Sequence, residues 1–159
     1  MNLTALAIAA TAVNILDFQG RALDLTNGVA NDFVPIQAFE FLNVFEQQWI
    51  LTSTQSTGAS PFKITNARTG SVLSYASANT PGLTSVGNVI RQQLMAHTSA
   101  STTFDVTFVG SGFTITEAAT GLALTSWAAD PQAASASNPL ILDAAVANDR
   151  QQIFSIQNA

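Results

Sequence analysis

Cysteine is missing from this chain, which excludes disulfide staples, thiolate catalysis and thiolate metal sites. The same absence fits a reducing compartment, so a cytoplasmic location is the expectation. Charge is scarce: 9% of residues are charged, five basic against ten acidic, for a formal net charge of −5. No basic groove with interleaved aromatics can be built from that set, so nucleic acid is not an expected partner. An anionic membrane surface would repel the chain as well. The single histidine, His97, stands far from any paired acid motif and reads as a structural or solvated side chain. One histidine without cysteine argues against zinc, and no EF-hand-like acid spacing suggests calcium, so no cofactor or metal is expected. Long hydrophobic runs are lacking too. The stretch Leu3–Val13 is eleven residues, too short to span a bilayer, and has no basic start. It reads as a first strand lengthened toward its N-terminus, while the small Ala7 and Ala9 would suit a cleavage site and leave secretion open.

What is present points to strands. Long charged helix formers are few, and Thr, Val, Ile and Phe are many, a balance that favours sheet. At 159 residues the chain is expected to be one domain, 1–159, with a sizeable core.

The chain repeats itself. Gly20-Arg-Ala-Leu23, Gly70-Ser-Val-Leu73 and Gly121-Leu-Ala-Leu124 recur at spacings of 50 and 51 residues. An alternating strand precedes each: Val13–Ile15, Phe62–Thr65 and Phe113–Thr116. Asn66–Gly70 and Glu117–Gly121 then read as turns. A third strand is predicted at Pro35–Phe39 (running on toward Phe41), Asn88–Gln92 and Asn138–Leu142. A fourth is predicted at Gln47–Leu51, Thr102–Val106 and Gln152–Ile156, around the aromatics Trp49, Phe104 and Phe154. Gly110-Ser111-Gly112 reads as a hairpin joining two copies, Ser53–Pro61 as the equivalent join, and Phe154–Ile156 as the partner of the N-terminal strand.

Each copy, at about 1–56, 57–109 and 110–159, is too small to bury its own apolar face, so the three must share a core. A closed barrel also removes exposed sheet edges. The expected architecture is all-β and pseudo-threefold: six strands in a barrel, six in hairpins capping one end, and no required helix.

Gly-x-x-Leu-Asp-Leu, then Ile-Gln-x-Phe, then Gln47-x-Trp49 resembles the β-trefoil of ricin B-type lectins, especially single-domain cysteine-free mushroom forms. The resemblance runs from about Val13 to the C-terminus and is closest in the first copy. It implies a shallow sugar pocket, with Asp24 accepting sugar hydroxyls, Gln37 as the polar residue and Phe39 as the aromatic platform. It also implies Glu46 where the family has Asn, and Gln47 beside it. The implied ligand is a neutral galactose- or N-acetylgalactosamine-type glycan. Copies two and three look spent: Ser74 and Thr125 replace the acid. Arg91 and Gln92 in copy two, and Ile141 (or Leu140) with Leu142 in copy three, take the third-strand positions.

The chemistry stands on its own terms. A carboxylate accepts two hydroxyls at once, and a ring covers the apolar C–H face of a hexose. Each net hydrogen bond gives about 0.5–1.5 kcal/mol, so one shallow site binds at roughly millimolar, near −4 kcal/mol. Avidity then needs several sites or an oligomer such as a homodimer. Glu46 adds a second negative charge near Asp24 and disfavours an anionic sugar.

Other roles compete for the same residues. Trp49, Phe104 and Phe154 read as core. Trp127 reads either as lining between hairpins or as an exposed platform for a longer glycan. The Asp24–Glu46 pair could serve a glycosidase in principle, but acids are common as sugar acceptors and no catalysis is expected. A protein-binding trefoil, such as a protease inhibitor acting through the loop between Gly28 and Phe33, is the alternative function.

Overall fold

Val13, Ile15, Phe62, Ile64, Phe113 and Ile115 sit at alternate positions of their strands, and all six side chains are buried. Strand geometry sends such residues to one face, so each pair marks a strand that contributes to a common interior. The computed structural model describes residues 11–76, 91–130 and 137–159. Within them the chain forms three units of four strands. The first holds β1 (Val13–Leu16), β2 (Ala22–Leu25), β3 (Val34–Phe39) and β4 (Trp49–Ser53). The second holds β5 (Phe62–Asn66), β6 (Val72–Tyr75), β7 (Gln92–His97) and β8 (Phe104–Phe108). The third holds β9 (Phe113–Glu117), β10 (Ala123–Ser126), β11 (Asn138–Asp143) and β12 (Ser155–Asn158).

Pairing closes the first and last strand of each unit into a barrel. β1 pairs β4 and β12, β4 pairs β5, β5 pairs β8, and β8 pairs β9. The ring is completed where Phe113 and Phe154 exchange backbone hydrogen bonds of 2.8 and 2.9 Å. The middle strands form the hairpins β2–β3, β6–β7 and β10–β11. These meet as a triangle, because β3, β7 and β11 all pair with one another. The fold is an all-β β-trefoil. Among the described residues each barrel strand has a neighbour on both sides.

The core lies on the threefold axis. Trp49, Phe104 and Phe154 occupy matching positions at the head of the fourth strands, each at most 1% exposed, and pack with Leu23, Leu73 and Leu124. Burying each such aromatic contributes about 1.5–3 kcal/mol. Trp49 also donates from Nε1 to the Leu23 carbonyl oxygen at 3.0 Å.

The same symmetry governs the first turn of each unit. Asp17, Asn66 and Glu117 are buried at the end of the first strand, and their side-chain oxygens accept backbone N–H groups of the turn that follows. Gly20, Gly70 and Gly121 close these turns at φ of 78°, 70° and 72°, a region that side chains disfavour.

Several expectations shift in the structure. In unit two the third strand is Gln92–His97 rather than Asn88–Gln92; residues 88–90 lie outside the described residues. The strand begins four residues later than expected. β3 stops at Phe39 instead of continuing toward Phe41. β4 begins at Trp49 because Phe45–Gln47 forms a short 3₁₀ turn, as Thr26–Gly28 and Arg150–Gln152 also do. The N-terminal join to β12 is present, with Ile15 opposite Ile156. Most of the Leu3–Val13 extension lies outside the described residues. Among the described residues no helix is long and apolar enough to cross a membrane.

Candidate functional site

Register brings the unit-one residues together. Asp24 on β2 stands directly opposite Gln37 on β3, and Ala22 opposite Phe39. Alternation on β3 turns Gln37 and Phe39 to the same half-exposed face, while Val34, Ile36 and Ala38 face the core. Asp24, Gln37 and Phe39 therefore share one side of one hairpin.

The Asp24 carboxylate is 7% exposed and fixed from two sides. Gln37 Nε2 donates to Oδ1 at 2.9 Å, and Gln47 Nε2 donates to Oδ2 at 3.1 Å. Each oxygen keeps a lone pair beyond these bonds, enough for one ligand hydroxyl apiece. Two amide donors hold the acid in a single orientation before any ligand arrives.

Gln47 has a different part from the other four. It is fully buried, and its four hydrogen-bonding positions are all used inside the protein. Oε1 accepts from Leu42 N and Asn43 N at 2.9 and 3.1 Å, and Nε2 donates to the Glu40 carbonyl oxygen at 2.7 Å as well as to Asp24. It ties the β3–β4 loop to the acid and has nothing left for a sugar. Expected as a ligand contact, Gln47 makes these four bonds within the protein.

Glu46 does not bond to Asp24. Its Oε1 lies 3.6 Å from Arg68 Nη1 on the first turn of unit two, and its side chain packs against Gly28. The extra acid is thereby placed at the rim beside a cation, where it closes the gap between the β2–β3 and β3–β4 loops.

The bond from the turn before the fourth strand to the second strand recurs in all three units. Where unit one joins Gln47 to Asp24, unit two joins the hydroxyls of Thr102 and Ser74, and unit three joins Gln152 Nε2 to Thr125 Oγ1 at 3.1 Å. Gln152 also donates to the Ala144 carbonyl oxygen at 2.8 Å and accepts from Val146 N, as Gln47 does with its own loop.

Comparison with known proteins agrees with the fold. Residues 45–141, more than half of the chain, match the family model described as ricin-type β-trefoil lectin domain-like. The chain belongs to that family. No curated protein matches it. Among solved structures, the Rhizoctonia solani agglutinin is 19% identical with a TM-score of 0.73, over 94% of this chain and 96% of that one. The Macrolepiota procera ricin B-like lectin, solved in complex with lactose, is 16% identical with a TM-score of 0.69, over 94% and 96%. The designed threefold-symmetric protein ThreeFoil is 15% identical with a TM-score of 0.74, over 93% and 99%. At these identities the neighbours establish the shared fold. The family assignment supports carbohydrate binding as the general role.

Within this ricin-type trefoil the register corrects the reading of the other two pockets. In unit two Ser74 faces Met95 and Val72 faces His97, so Met95 and His97, not Arg91 and Gln92, match Gln37 and Phe39. In unit three Thr125 faces Ile141 as expected, but Ala123 faces Asp143. The platform position there is Asp143, not Leu142, which points into the core.

The corresponding face of unit two is met by a side chain from unit one. Phe33, at φ 61°, lays its ring edge-on against His97 with centroids 4.9 Å apart. Beside it Asp32 Oδ1 accepts from Thr98 N and Thr98 Oγ1 at 2.7 and 2.8 Å. These two bonds hold the Asp32 carboxyl below the ordinary aspartate range. His97 is 1% exposed, and its Nε2 donates to the Tyr75 carbonyl oxygen at 3.0 Å. It is a structural histidine. No sequence signal pointed to this contact, because Phe33 and His97 meet only through the β3–β7 pairing.

In unit three, Trp127 is 41% exposed, with the Arg91 guanidinium 5.9 Å above its ring and Arg91 Nε bonded to Asp143 Oδ2 at 2.8 Å. Beneath it Arg21, Asp17 and Ser126 form a buried polar cluster that ties unit one to unit three: Ser126 Oγ donates to Asp17 Oδ2 at 2.6 Å, and Arg21 Nε donates to the same oxygen at 3.0 Å.

Proposed function

We propose that the protein is a lectin with one competent site, in unit one, for a neutral galactose-type sugar or glycan terminus. The observation that carries this reading is the Asp24 carboxylate, clamped by Gln37 and Gln47 and set on the same hairpin face as the Phe39 ring. Asp24 accepts two sugar hydroxyls, Gln37 adds a polar contact from its remaining amide atoms, and Phe39 covers the C–H face of the ring. Glu46 sits at the rim and disfavours anionic sugars. Gln47 acts through Asp24 and the loop.

Ser74 and Thr125 offer single hydroxyls in place of a carboxylate, and both are already bonded inside the protein. Neither can receive two ligand hydroxyls. Units two and three therefore contribute scaffold.

The test is calorimetric titration with galactose and N-acetylgalactosamine, followed by Asp24→Asn. One site per chain, a dissociation constant of roughly millimolar and loss of binding in the variant with its melting curve kept are the expected results. Two or three sites per chain, or unchanged binding by Asp24→Asn, would refute the proposal.

A further inference from the structure

The loop between β3 and β4 exposes Leu42, Val44 and Phe45, at 52%, 37% and 59%. Its counterparts do not match it: residues 98–103 of unit two read Thr-Ser-Ala-Ser-Thr-Thr, and residues 144–152 of unit three offer Val146 as the one large apolar side chain. The apolar loop thus occurs in the unit that also keeps the acid.

This loop is held, not frayed. Gln47 Oε1 takes the N–H groups of Leu42 and Asn43, Gln47 N donates to the Val44 carbonyl oxygen at 2.9 Å, and Asn43 Oδ1 accepts from Asn14 Nδ2 at 3.1 Å. Asn43 adopts φ 51°, which turns the chain so that its apolar neighbours face outward. The guanidinium of Arg68 lies 5.9 Å from the Phe45 ring centroid and leaves much of that ring open. Apolar surface held in water by this many bonds is a preformed contact.

Its position says what it contacts. The amide that carries Leu42 also carries Asp24: one Gln47 side chain bonds both. Across the rim, Val29 is exposed on the β2–β3 loop, and that loop touches this one at Gly28, where an added Cβ would fall 2.7 Å from Glu46 Oε1. The two Gln47 bonds set the Leu42 backbone close to the Asp24 carboxylate.

We infer that the unit-one site takes a glycoside with an apolar aglycone, aryl or alkyl, laid against Leu42 and Phe45. The inference rests on the proposed sugar site and specifies its ligand. A neutral aglycone suits it, since the net charge of −5 and the rim acid Glu46 both oppose an anionic one.

The experiment compares methyl β-galactoside with phenyl β-galactoside by titration calorimetry on the wild type, Phe45→Ser and Leu42→Ser. The wild type should bind the phenyl glycoside about tenfold more tightly, the gain expected from covering some fifty Å² of apolar surface at about 25 cal/mol per Å². Phe45→Ser should bring that ratio close to one, Leu42→Ser should lower it, and both should leave the methyl glycoside affinity and the melting curve as they were. Methyl glycoside binding with no phenyl advantage, or an advantage that survives both substitutions, overturns this inference and leaves the sugar site standing. Binding of neither glycoside overturns both. A wild-type dimer that both serine variants dissociate, with no phenyl advantage, makes the wall an interface between copies and overturns the inference as well.

Discussion

Gln47 donates to Asp24 across 3.1 Å, and the bond in that place persists in the two units that have no acid. Its survival separates two jobs. Linking the fourth-strand turn to the end of the second strand belongs to the scaffold; presenting a carboxylate through that link belongs to unit one.

Gln47→Ala should therefore cost stability first and binding as a consequence. It breaks the buried bond to Asp24 Oδ2 and the part-buried bonds to Leu42 N, Asn43 N and the Glu40 carbonyl oxygen. We expect a loss of about 2–4 kcal/mol in denaturant unfolding. Gln37→Ala, on the half-exposed face, should weaken sugar binding several-fold with a melting shift of no more than a few degrees. Equal melting losses in the two variants would contradict the division of roles.

Phe39 should act through its area. Phe39→Ala is expected to reduce galactoside affinity about tenfold, and Phe39→Trp, which enlarges the platform, to raise it. Titration calorimetry on the two variants reads both directions. Unchanged affinity in Phe39→Ala would remove the ring from the site.

The Asp32–Thr98 clamp predicts an acid-side effect with a definite sign. Thr98 N–H and Oγ1–H bonds, aided by the nearby His97, hold the folded pKa of Asp32 below the ordinary 3.8. A depressed acid stabilises the fold above its unfolded pKa and loses that contribution as pH falls through the folded value. Carbon-detected titration should place the Asp32 midpoint below 3.8, and Thr98→Val should move it upward. An Asp32 midpoint at or above that value in the wild type would show that the clamp does not persist in solution.

Arg21 should be far more costly to remove than Arg91. Arg21→Leu leaves the buried Asp17 carboxylate without its cation, at a cost of about 3–5 kcal/mol, or roughly 6–20 °C in melting temperature. Arg91→Leu breaks an exposed pair with Asp143 and should change stability by less than about 1 kcal/mol. Thermal denaturation of the two variants side by side checks the contrast.

Fold and site were legible in the sequence to different depths. The recurring glycines and the alternating Phe62/Ile64 and Phe113/Ile115 pairs disclosed three units, because each turn needs a left-handed backbone and each strand must bury alternate residues. That Asp24, Gln37 and Phe39 share one hairpin face was legible because neighbouring strands of one hairpin place them together at short range. The unit-two positions were expected four and five residues too early, at Arg91 and Gln92, and the unit-three platform one residue too early, at Leu142, since alternation is weakly marked in a chain rich in small polar and apolar residues. Only the pairing of β6 with β7, and of β10 with β11, fixes which residue faces outward.

By itself, then, the sequence determined the threefold plan and the unit that kept an acid: local turn chemistry and period-two burial are written residue by residue. Tertiary structure decided the rest. It spent Gln47 on the scaffold, turned Glu46 to Arg68 and laid Phe33 over His97. Each of those outcomes depends on a partner from another strand or another unit, and distance along the chain does not reveal which groups close the last few ångströms.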